Sequence, residues 1–143
     1  MTYCLMNESH DGDIPRILSV YALPTVAPFI SIDEENYWNY VTGTDQVWFY
    51  KAYKEERLIA TIHLESVDAV LYMSIVVFPE YQKQGFGTEI IKDIQNGVFD
   101  LDFNKIQVSV DEKNGASLRL FEKAGFVCIG KEEELLEYMY IKK

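Results

Sequence analysis

Residues 70–98, reading VLYMSIVVFPEYQKQGFGTEIIKDIQNGV, restrict the fold more than any other stretch of the chain. Val70 to Phe78 is a nearly unbroken apolar run, the pattern of a central strand covered on both faces. Pro79 closes it, Gly85 and Gly87 follow, and Ile90, Ile91, Ile94 and Val98 then recur at helical spacing. Beyond them Ile106, Val108 and Val110 alternate with Gln107 and Ser109, as a strand does. Strand, glycine loop, helix and strand in that order make one crossover unit, which requires an α/β sheet.

The rest of the chain extends that unit. Thr2 to Met6 reads as a first strand. Asp13-Ile14-Pro15 opens a helix with Ile14, Ile17, Leu18 and Tyr21 on one face, Asp13 as its cap and Pro15 in its first turn. Pro24 and Pro28 interrupt the chain before Ser31-Ile32-Asp33-Glu34, whose capping-box spacing starts a second helix bearing Tyr37, Trp38 and Val41 and stopped by Gly43. Residues 47–53 and 58–64 are aromatic and β-branched around the polar turn Lys54 to Arg57, and read as a hairpin; a turn around Val67-Asp68 leads into the central strand. After the crossover, Asn114 caps a helix with Leu120, Phe121 and Ala124 on its buried face, and Gly125 supplies a left-handed end. Phe126 to Ile129 and Leu135 to Ile141 are the last strands. The order β-α-α-β-β-β-α-β-α-β-β predicts one mixed α/β domain over 1–143, with a central, twisted, mostly antiparallel sheet flanked by helices.

With 143 residues, 48% apolar and 14% aromatic, the chain suffices for one sizeable core. The longest apolar run is about half of the roughly 18 residues that suggest a membrane span. The N-terminal MTYCLMNESHDGD shows neither the basic nor the apolar region of an export signal, so a cytoplasmic location is expected. Cys4, Cys128, His10 and His63 form no ligand spacing, so neither a disulfide nor a metal is expected. A formal charge of -10 opposes nucleic-acid phosphates and mildly favours cationic partners, although solubility alone accounts for it.

The glycine loop is the main candidate for chemistry. Without Cβ atoms at Gly85 and Gly87, the backbone can curl and a ligand can approach its N–H groups closely. Those groups lie where a helix begins, with unpaired donors and a positive dipole end, a site suited to phosphate or pyrophosphate. Lys83 adds a positive charge. A Walker loop would need Lys and Ser/Thr after the glycine, where Thr88-Glu89 stand, and a dinucleotide fingerprint wants a small residue at Ile90. A tight turn with no ligand is the plain alternative.

In context the loop resembles the GNAT superfamily of acetyl-CoA-dependent N-acetyltransferases. Its hallmark, Gln/Arg-x-x-Gly-x-Gly/Ala after a strand ending Val-x-Pro, is matched by Val77-Phe78-Pro79 and Gln82-Lys83-Gln84-Gly85-Phe86-Gly87. A second block, Asn-x5-Leu-Tyr-Glu-Lys-x-Gly-Phe, is similar to residues 114–126, and the order of elements agrees as well. The resemblance implies that the backbone of Val76 and Val77 holds a pantetheine arm and that N–H groups from Lys83 to Thr88, with Gln82 leading in, hold the pyrophosphate of acetyl-CoA. It also implies that Asn114 contacts the cofactor, a role no better supported than that of a plain helix cap. The N–H of Val77 becomes the candidate donor to a developing oxyanion.

The sequence departs from the family where the proton chemistry lies. Phe121 occupies the position of the usual general-acid tyrosine, and Leu71 and Ser109 occupy positions where some members carry a glutamate base. An amine with a pKa of about 10.4 must still lose a proton. His63, sharing a strand face with Glu65, is a candidate base, and Tyr138, Tyr72 and Tyr140 are candidate acids; packing roles compete in each case. Tyr21, Tyr37, Trp38 and Tyr40 lie where the family selects its acceptor, and can line an amine pocket or fill a core. The leading expectation is an N-acetyltransferase acting on a primary amine of a small molecule or peptide. An acyl-CoA-binding regulatory domain and a purely structural α/β domain are the alternatives. Exposed sheet edges, the last strand among them, would allow a homodimer.

Overall fold

The computed structural model describes residues 1–142. Seven strands, Thr2–Leu5 (β1), Val47–Lys54 (β2), Arg57–Val67 (β3), Val70–Val77 (β4), Lys105–Asp111 (β5), Val127–Glu132 (β6) and Leu135–Ile141 (β7), form a sheet in the order β1-β2-β3-β4-β5-β7-β6. Four α-helices, Ile14–Tyr21 (α1), Tyr37–Gly43 (α2), Phe86–Gln95 (α3) and Gly115–Lys123 (α4), complete the expected order. β4 is the middle strand and pairs with β5 in parallel, as the crossover requires, while β1-β2, β2-β3, β5-β7 and β6-β7 are antiparallel. The chain divides into two compact units, Met1–Glu65 with Ile75–Gln82, and Ser66–Ser74 with the chain from Lys83 onward.

The first unit is built around Met6, Ile17, Val20, Tyr21, Val26, Trp38, Val41, Phe49 and Phe78, all buried together. Full burial of a large apolar side chain stabilises by about 1.5–3 kcal/mol, so this cluster holds α1 and α2 to their strands. Phe49 on β2 is its hub, with Trp38 and Tyr37 set edge-on to its ring at 5.4 and 6.1 Å. Lys51 on β2, nearly buried, is held by Asp11 through both carboxylate oxygens (3.0 and 2.8 Å) and by Asp13 (2.8 Å). Tyr53 also donates to Asp13 (2.5 Å). Burial opposes the charge on Lys51, yet its acidic and tyrosine partners raise its pKa above the ordinary value. Asp13 therefore does not cap α1 through its side chain, as its position suggested, because two stronger partners take its carboxylate.

The second expected helix begins later than its capping-box signal. α2 starts at Tyr37, and Asp33 spends its carboxylate on the N–H of Glu35 (3.2 Å) and the side chain of Asn36 (2.9 Å), stabilising a turn instead. The β2-β3 hairpin closes through Glu55 and Glu56, both left-handed with φ 52° and 68°. Mirror-image two-residue turns of this kind match strand twist, although glycine or asparagine usually supplies them.

The second unit contains the crossover. Ile90, Ile91 and Ile94 of α3 and Ile106, Val108 and Val110 of β5 are buried, confirming the helical and alternating patterns. Val98 is a correction: α3 stops at Gln95, Gly97 is left-handed (φ 80°), and Val98 is 57% exposed. The apolar run of β4 is not covered on both faces throughout either, since Tyr72 and Ser74 alternate outward between buried Leu71 and Met73. Phe121, Phe126 and Tyr140 stack in series, with centroids 5.2 and 5.6 Å apart. Leu120 and Ala124 on the expected buried face are only half-buried. Gly125 takes the left-handed conformation expected of it (φ 91°). β7 lies between β5 and β6, so the sheet edges are β1 and β6, not the last strand. Every residue of β6 is exposed, although it lies at the end of the chain's second motif.

Candidate active site

β4 delivers the chain to the glycine loop through three contacts within the first unit. Phe78, fully buried, donates its N–H to the carbonyl of Ile59 on β3 (2.8 Å). By the alternation of an extended strand, the N–H and carbonyl of Val77 then point to the other edge of β4. There the side-chain amide of Gln82 donates to the Val77 carbonyl (3.0 Å) across a short 3-10 turn at Pro79–Tyr81. Arg16 of α1 pairs with Glu80 and lies over the Phe78 ring (5.3 Å), fixing the turn from outside. Gln82 thus secures the strand end with its side chain.

Within the second unit, the loop has a backbone form that the sequence disclosed only in part. Gly85 is left-handed (φ 84°), as expected of a glycine placed there, but Lys83 is left-handed too (φ 63°), and Gln84 between them is not. The step from left-handed Gly85 to right-handed Phe86 turns neighbouring N–H groups into one concavity, a backbone anion nest. A non-glycine residue in this region costs roughly 1–2 kcal/mol. α3 begins immediately afterwards with no side-chain cap, its first helical bond running from Glu89 N–H to Gly85 O (3.0 Å). The N–H groups of Phe86, Gly87 and Thr88 have no acceptor within the helix. Gly87 lies in the first helical turn and needs no left-handed backbone, so its value is the absent side chain beside those donors. A Cβ added at Gly85 would meet nothing within 4 Å. The cradle is open and donor-rich, as a phosphate requires.

Asn114 caps α4, accepting from the Ser117 N–H through Oδ1 (3.3 Å). Phe121 is buried in the aromatic stack. Tyr138 donates its hydroxyl to Glu122 (3.3 Å), and burial followed by the Glu122 charge pushes its pKa upward. Leu71 is fully buried. Ser109 donates to Glu137 of β7 (2.7 and 2.8 Å), its direct cross-strand partner, so the register brings a carboxylate to a position where the sequence alone shows a serine.

His63 is the centre of a second constellation, confined to the first unit. On one side its Nδ1 meets the Tyr37 hydroxyl (2.6 Å), and on the other its Nε2 meets Glu65 Oε1 (2.8 Å). Tyr40 donates to the same Glu65 oxygen (2.8 Å). Tyr37 and Tyr40 also set their rings 5.6 and 6.4 Å from the imidazole. Burial, and then the neighbouring Tyr21 and Glu65, push the Tyr37 pKa well above the ordinary tyrosine value; the bond to Glu65 raises that of Tyr40. The sequence shows His63 and Glu65 on one face, but not that one turn of α2 supplies a tyrosine to each. Among the described residues no cluster of acidic, histidine or cysteine side chains is arranged to hold a metal, both cysteines are free and exposed, and no helix is long and apolar enough to cross a membrane.

A mixed sheet whose central strand runs into a glycine loop and an uncapped helix defines the class, an α/β fold with an open anion cradle at the end of its middle strand. A sequence profile of the acetyltransferase (GNAT) family matches residues 14–126, and the chain belongs to that family. Among solved structures it is similar to the spermidine N-acetyltransferase from Vibrio cholerae in complex with CoA and spermine, at 19% identity over 98% of this chain and 95% of that one, with a TM-score of 0.77. A spermidine N-acetyltransferase chimera from Vibrio cholerae and hSSAT gives 20% identity, 99% and 96% coverage and a TM-score of 0.78. The Campylobacter jejuni N-acetyltransferase PseH in complex with acetyl coenzyme A gives 13% identity, 99% and 100% coverage and a TM-score of 0.78. At these identities the likeness is one of fold. A comparison with curated protein sequences returns no match.

Proposed function

We propose that residues 1–143 act as one N-acetyltransferase domain that moves an acetyl group from acetyl-CoA to a primary amine of a small molecule or peptide. The observation that carries this reading is the change of hand from Gly85 to Phe86 at the uncapped start of α3. It supports the family membership with a physical site for a pyrophosphate, built from the first N–H groups of α3, which have no acceptor within the helix. Structures of the same fold holding acetyl coenzyme A, or CoA with spermine, support it further.

Acetyl-CoA would supply an acetyl thioester, and the residues of this chain would bind and orient it. Lys83, Gln84, Gly85, Phe86, Gly87 and Thr88 would hold the pyrophosphate through their N–H groups, with the Lys83 ammonium adding charge. Val76 and Val77 would hold the pantetheine arm along the open edge of β4, and the Val77 N–H would donate to the carbonyl oxygen as negative charge develops there. Gln82 would fix Val77 for that task by holding its carbonyl. Asn114 has its Oδ1 engaged as a cap, so any contact to the cofactor would come from its side-chain N–H2. Tyr138 would serve as the acid for the departing thiolate only by releasing Glu122.

Buried Phe121 favours a second reading, a domain that binds acyl-CoA without turning it over. Calorimetric titration with acetyl-CoA, of the wild type and of a folded Gly85→Val, Gly87→Val variant, tests the cofactor site. Binding near micromolar, about -8 kcal/mol, and lost in the variant is the expected result. Amine-dependent release of free CoA then separates the enzyme from the binding domain. Failure to bind any CoA ester would sink both.

A further inference from the structure

We propose that Arg16 is a positioning residue for acyl transfer: from α1 it braces the Pro79–Tyr81 turn, the turn sets Gln82, and Gln82 sets the backbone of Val77. This rests on the N-acetyltransferase reading and deepens it by assigning the support behind the oxyanion donor. Every residue in the chain of contacts belongs to the first compact unit.

The peptide unit joining Val77 to Phe78 is pinned at both of its polar atoms. Its N–H, on Phe78, donates to the Ile59 carbonyl of β3 (2.8 Å), and its carbonyl, on Val77, accepts from the side-chain amide of Gln82 (3.0 Å). Because a peptide unit is planar, bonds at its two opposite edges fix its tilt about the strand. Val77 is extended at the end of β4, so its own N–H lies on the same edge as the carbonyl that Gln82 holds. The two pins differ in strength. Ile59 and Phe78 are both buried, whereas Gln82 follows a single 3-10 turn closed by two local bonds, Tyr81 N–H to Phe78 O (2.8 Å) and Gln82 N–H to Pro79 O (3.2 Å). Such short turns have poor hydrogen-bond geometry and need outside support.

Arg16 supplies that support from a firm base. Ile17, Val20 and Tyr21 of α1 are buried in the same cluster as Phe78, and Asp13, just before the helix, is tied to Lys51 and Tyr53 of β2. From this platform the guanidinium makes two contacts in different directions: its Cζ lies over the Phe78 ring, 5.3 Å from the centroid, and its Nη2 pairs with Glu80. Phe78 precedes the turn and Glu80 lies within it, so one side chain grips the turn at its entry and at its middle. A planar cation held over a ring and paired at its edge is restricted in a way that a lysine ammonium is not.

Magnitudes decide between a stabilising and a positioning role. The Arg16 and Glu80 side chains are 48% and 55% exposed, and exposed pairs add little to the stability of a fold. Unfolding is therefore not where the contact should register. An oxyanion donor is different, since loss of one costs about 100- to 1000-fold in kcat, and small misplacements of reacting groups are amplified in the same way. Loosening a residue that acts on the donor through a turn and a glutamine should cost part of that range, about tenfold.

Hydroxylamine is largely unprotonated at neutral pH, so acetyl transfer to it, read as release of free CoA thiol, depends on the oxyanion donor and little on an acceptor base. Arg16→Met is expected to lower kcat about tenfold, with acetyl-CoA affinity by calorimetry within about twofold and the urea midpoint nearly unchanged. Arg16→Lys keeps the charge and should recover part of the loss. Glu80→Gln should match Arg16→Met, and in a Gln82→Ala background Arg16→Met should add nothing, because its effect passes through Gln82. The amide nitrogen signal of Val77 reads the same support without turnover: Arg16→Met should move it in the same direction as Gln82→Ala. Should Arg16→Met not fold, Arg16→Lys and Glu80→Gln carry the same comparisons. Unchanged turnover in the Arg16 and Glu80 variants, additivity with Gln82→Ala, or an acetyl-CoA affinity loss as large as the kcat loss would overturn the brace and leave the acetyltransferase intact. No catalysed CoA release with hydroxylamine or any primary amine, despite acetyl-CoA binding, would remove the acetyltransferase reading and this inference with it.

Discussion

The glycine loop and the His63 constellation represent opposite ways of making a polar site. In the loop the donors are the first backbone N–H groups of α3, left open by an uncapped helix that begins after left-handed Gly85. Around His63 the groups are side chains, nearly all already satisfied by one another. An open site gains its partner from a ligand, so damage to it should appear in affinity. A saturated site has its partners in the fold, so damage should appear in stability. The two can be told apart by measuring both quantities on each variant.

The largest stability effect is expected where saturation is greatest. Lys51→Met removes the cation that Asp11 and Asp13 share, and breaking a buried pair by removing one partner costs about 3 kcal/mol. Urea unfolding should show that loss, with acetyl-CoA affinity unchanged once the variant is folded. The same variant carries a pH test. The bonds from Lys51 and then Tyr53 hold the Asp13 pKa below its ordinary 3.8. A depressed carboxylate stabilises the fold above the unfolded value and loses that contribution as pH falls through the folded one. Wild-type stability should thus decline below about pH 4, and Lys51→Met should flatten that limb. An unchanged acid limb would remove Lys51 as its cause.

Gly85→Val should do the reverse. A β-branched residue at φ 84° is strained whatever space surrounds it. The added side chain also stands beside the donors that a pyrophosphate would use. Acetyl-CoA affinity should fall at least 100-fold, about 2.7 kcal/mol, with a smaller loss of stability. An affinity loss no larger than the stability loss would mean that the loop is a turn and nothing more. Tyr37→Phe is smaller again: it removes the hydroxyl bonded to His63 Nδ1 and should cost about 1 kcal/mol of stability. Its specific signature is a change in the imidazole nitrogen shifts, as Nδ1 loses the Tyr37 hydroxyl.

The same contrast explains what the sequence disclosed. The loop was legible because its parts are neighbours in the chain: an apolar strand, Pro79, two glycines and a helical repeat occupy residues 70–98. The constellation was half legible. Alternation put His63 and Glu65 on one face, but their tyrosines come from a helix more than twenty residues earlier, and no local spacing records that contact. Competing partners, distant for Asp13 and local for Asp33, also explain the misread caps. Asp13 and the Ser31 to Glu34 box carry good local signals, and Lys51, Tyr53 and the Asp33 turn overrode them. Val98 fits the helical repeat of α3, yet left-handed Gly97 ends the helix first. Glu137 was invisible as a neighbour of Ser109 until the β5-β7 register was known.

Lys83 joins the two kinds of site and gives the finest test of their separation. Its side chain is a charge that a pyrophosphate would use, while its backbone is held at φ 63°, where a Cβ is unfavourable. Lys83→Gly changes both in opposite directions. Relief of the left-handed strain should stabilise the fold by about 1 kcal/mol, reduced by the greater freedom that glycine gives the unfolded chain. Loss of the ammonium should weaken acetyl-CoA severalfold, more at low ionic strength than at high, since an exposed charge is screened by salt. Lys83→Ala supplies the control: it loses the charge and keeps the strain, so affinity should fall as in the glycine variant with no gain in stability. If Lys83→Gly gained stability and kept full affinity, the nest would bind through its N–H groups alone and the side chain would be incidental. If it lost both, the curl at Lys83 would depend on the lysine side chain itself, and the division between an open backbone site and a saturated side-chain site would not hold at this residue.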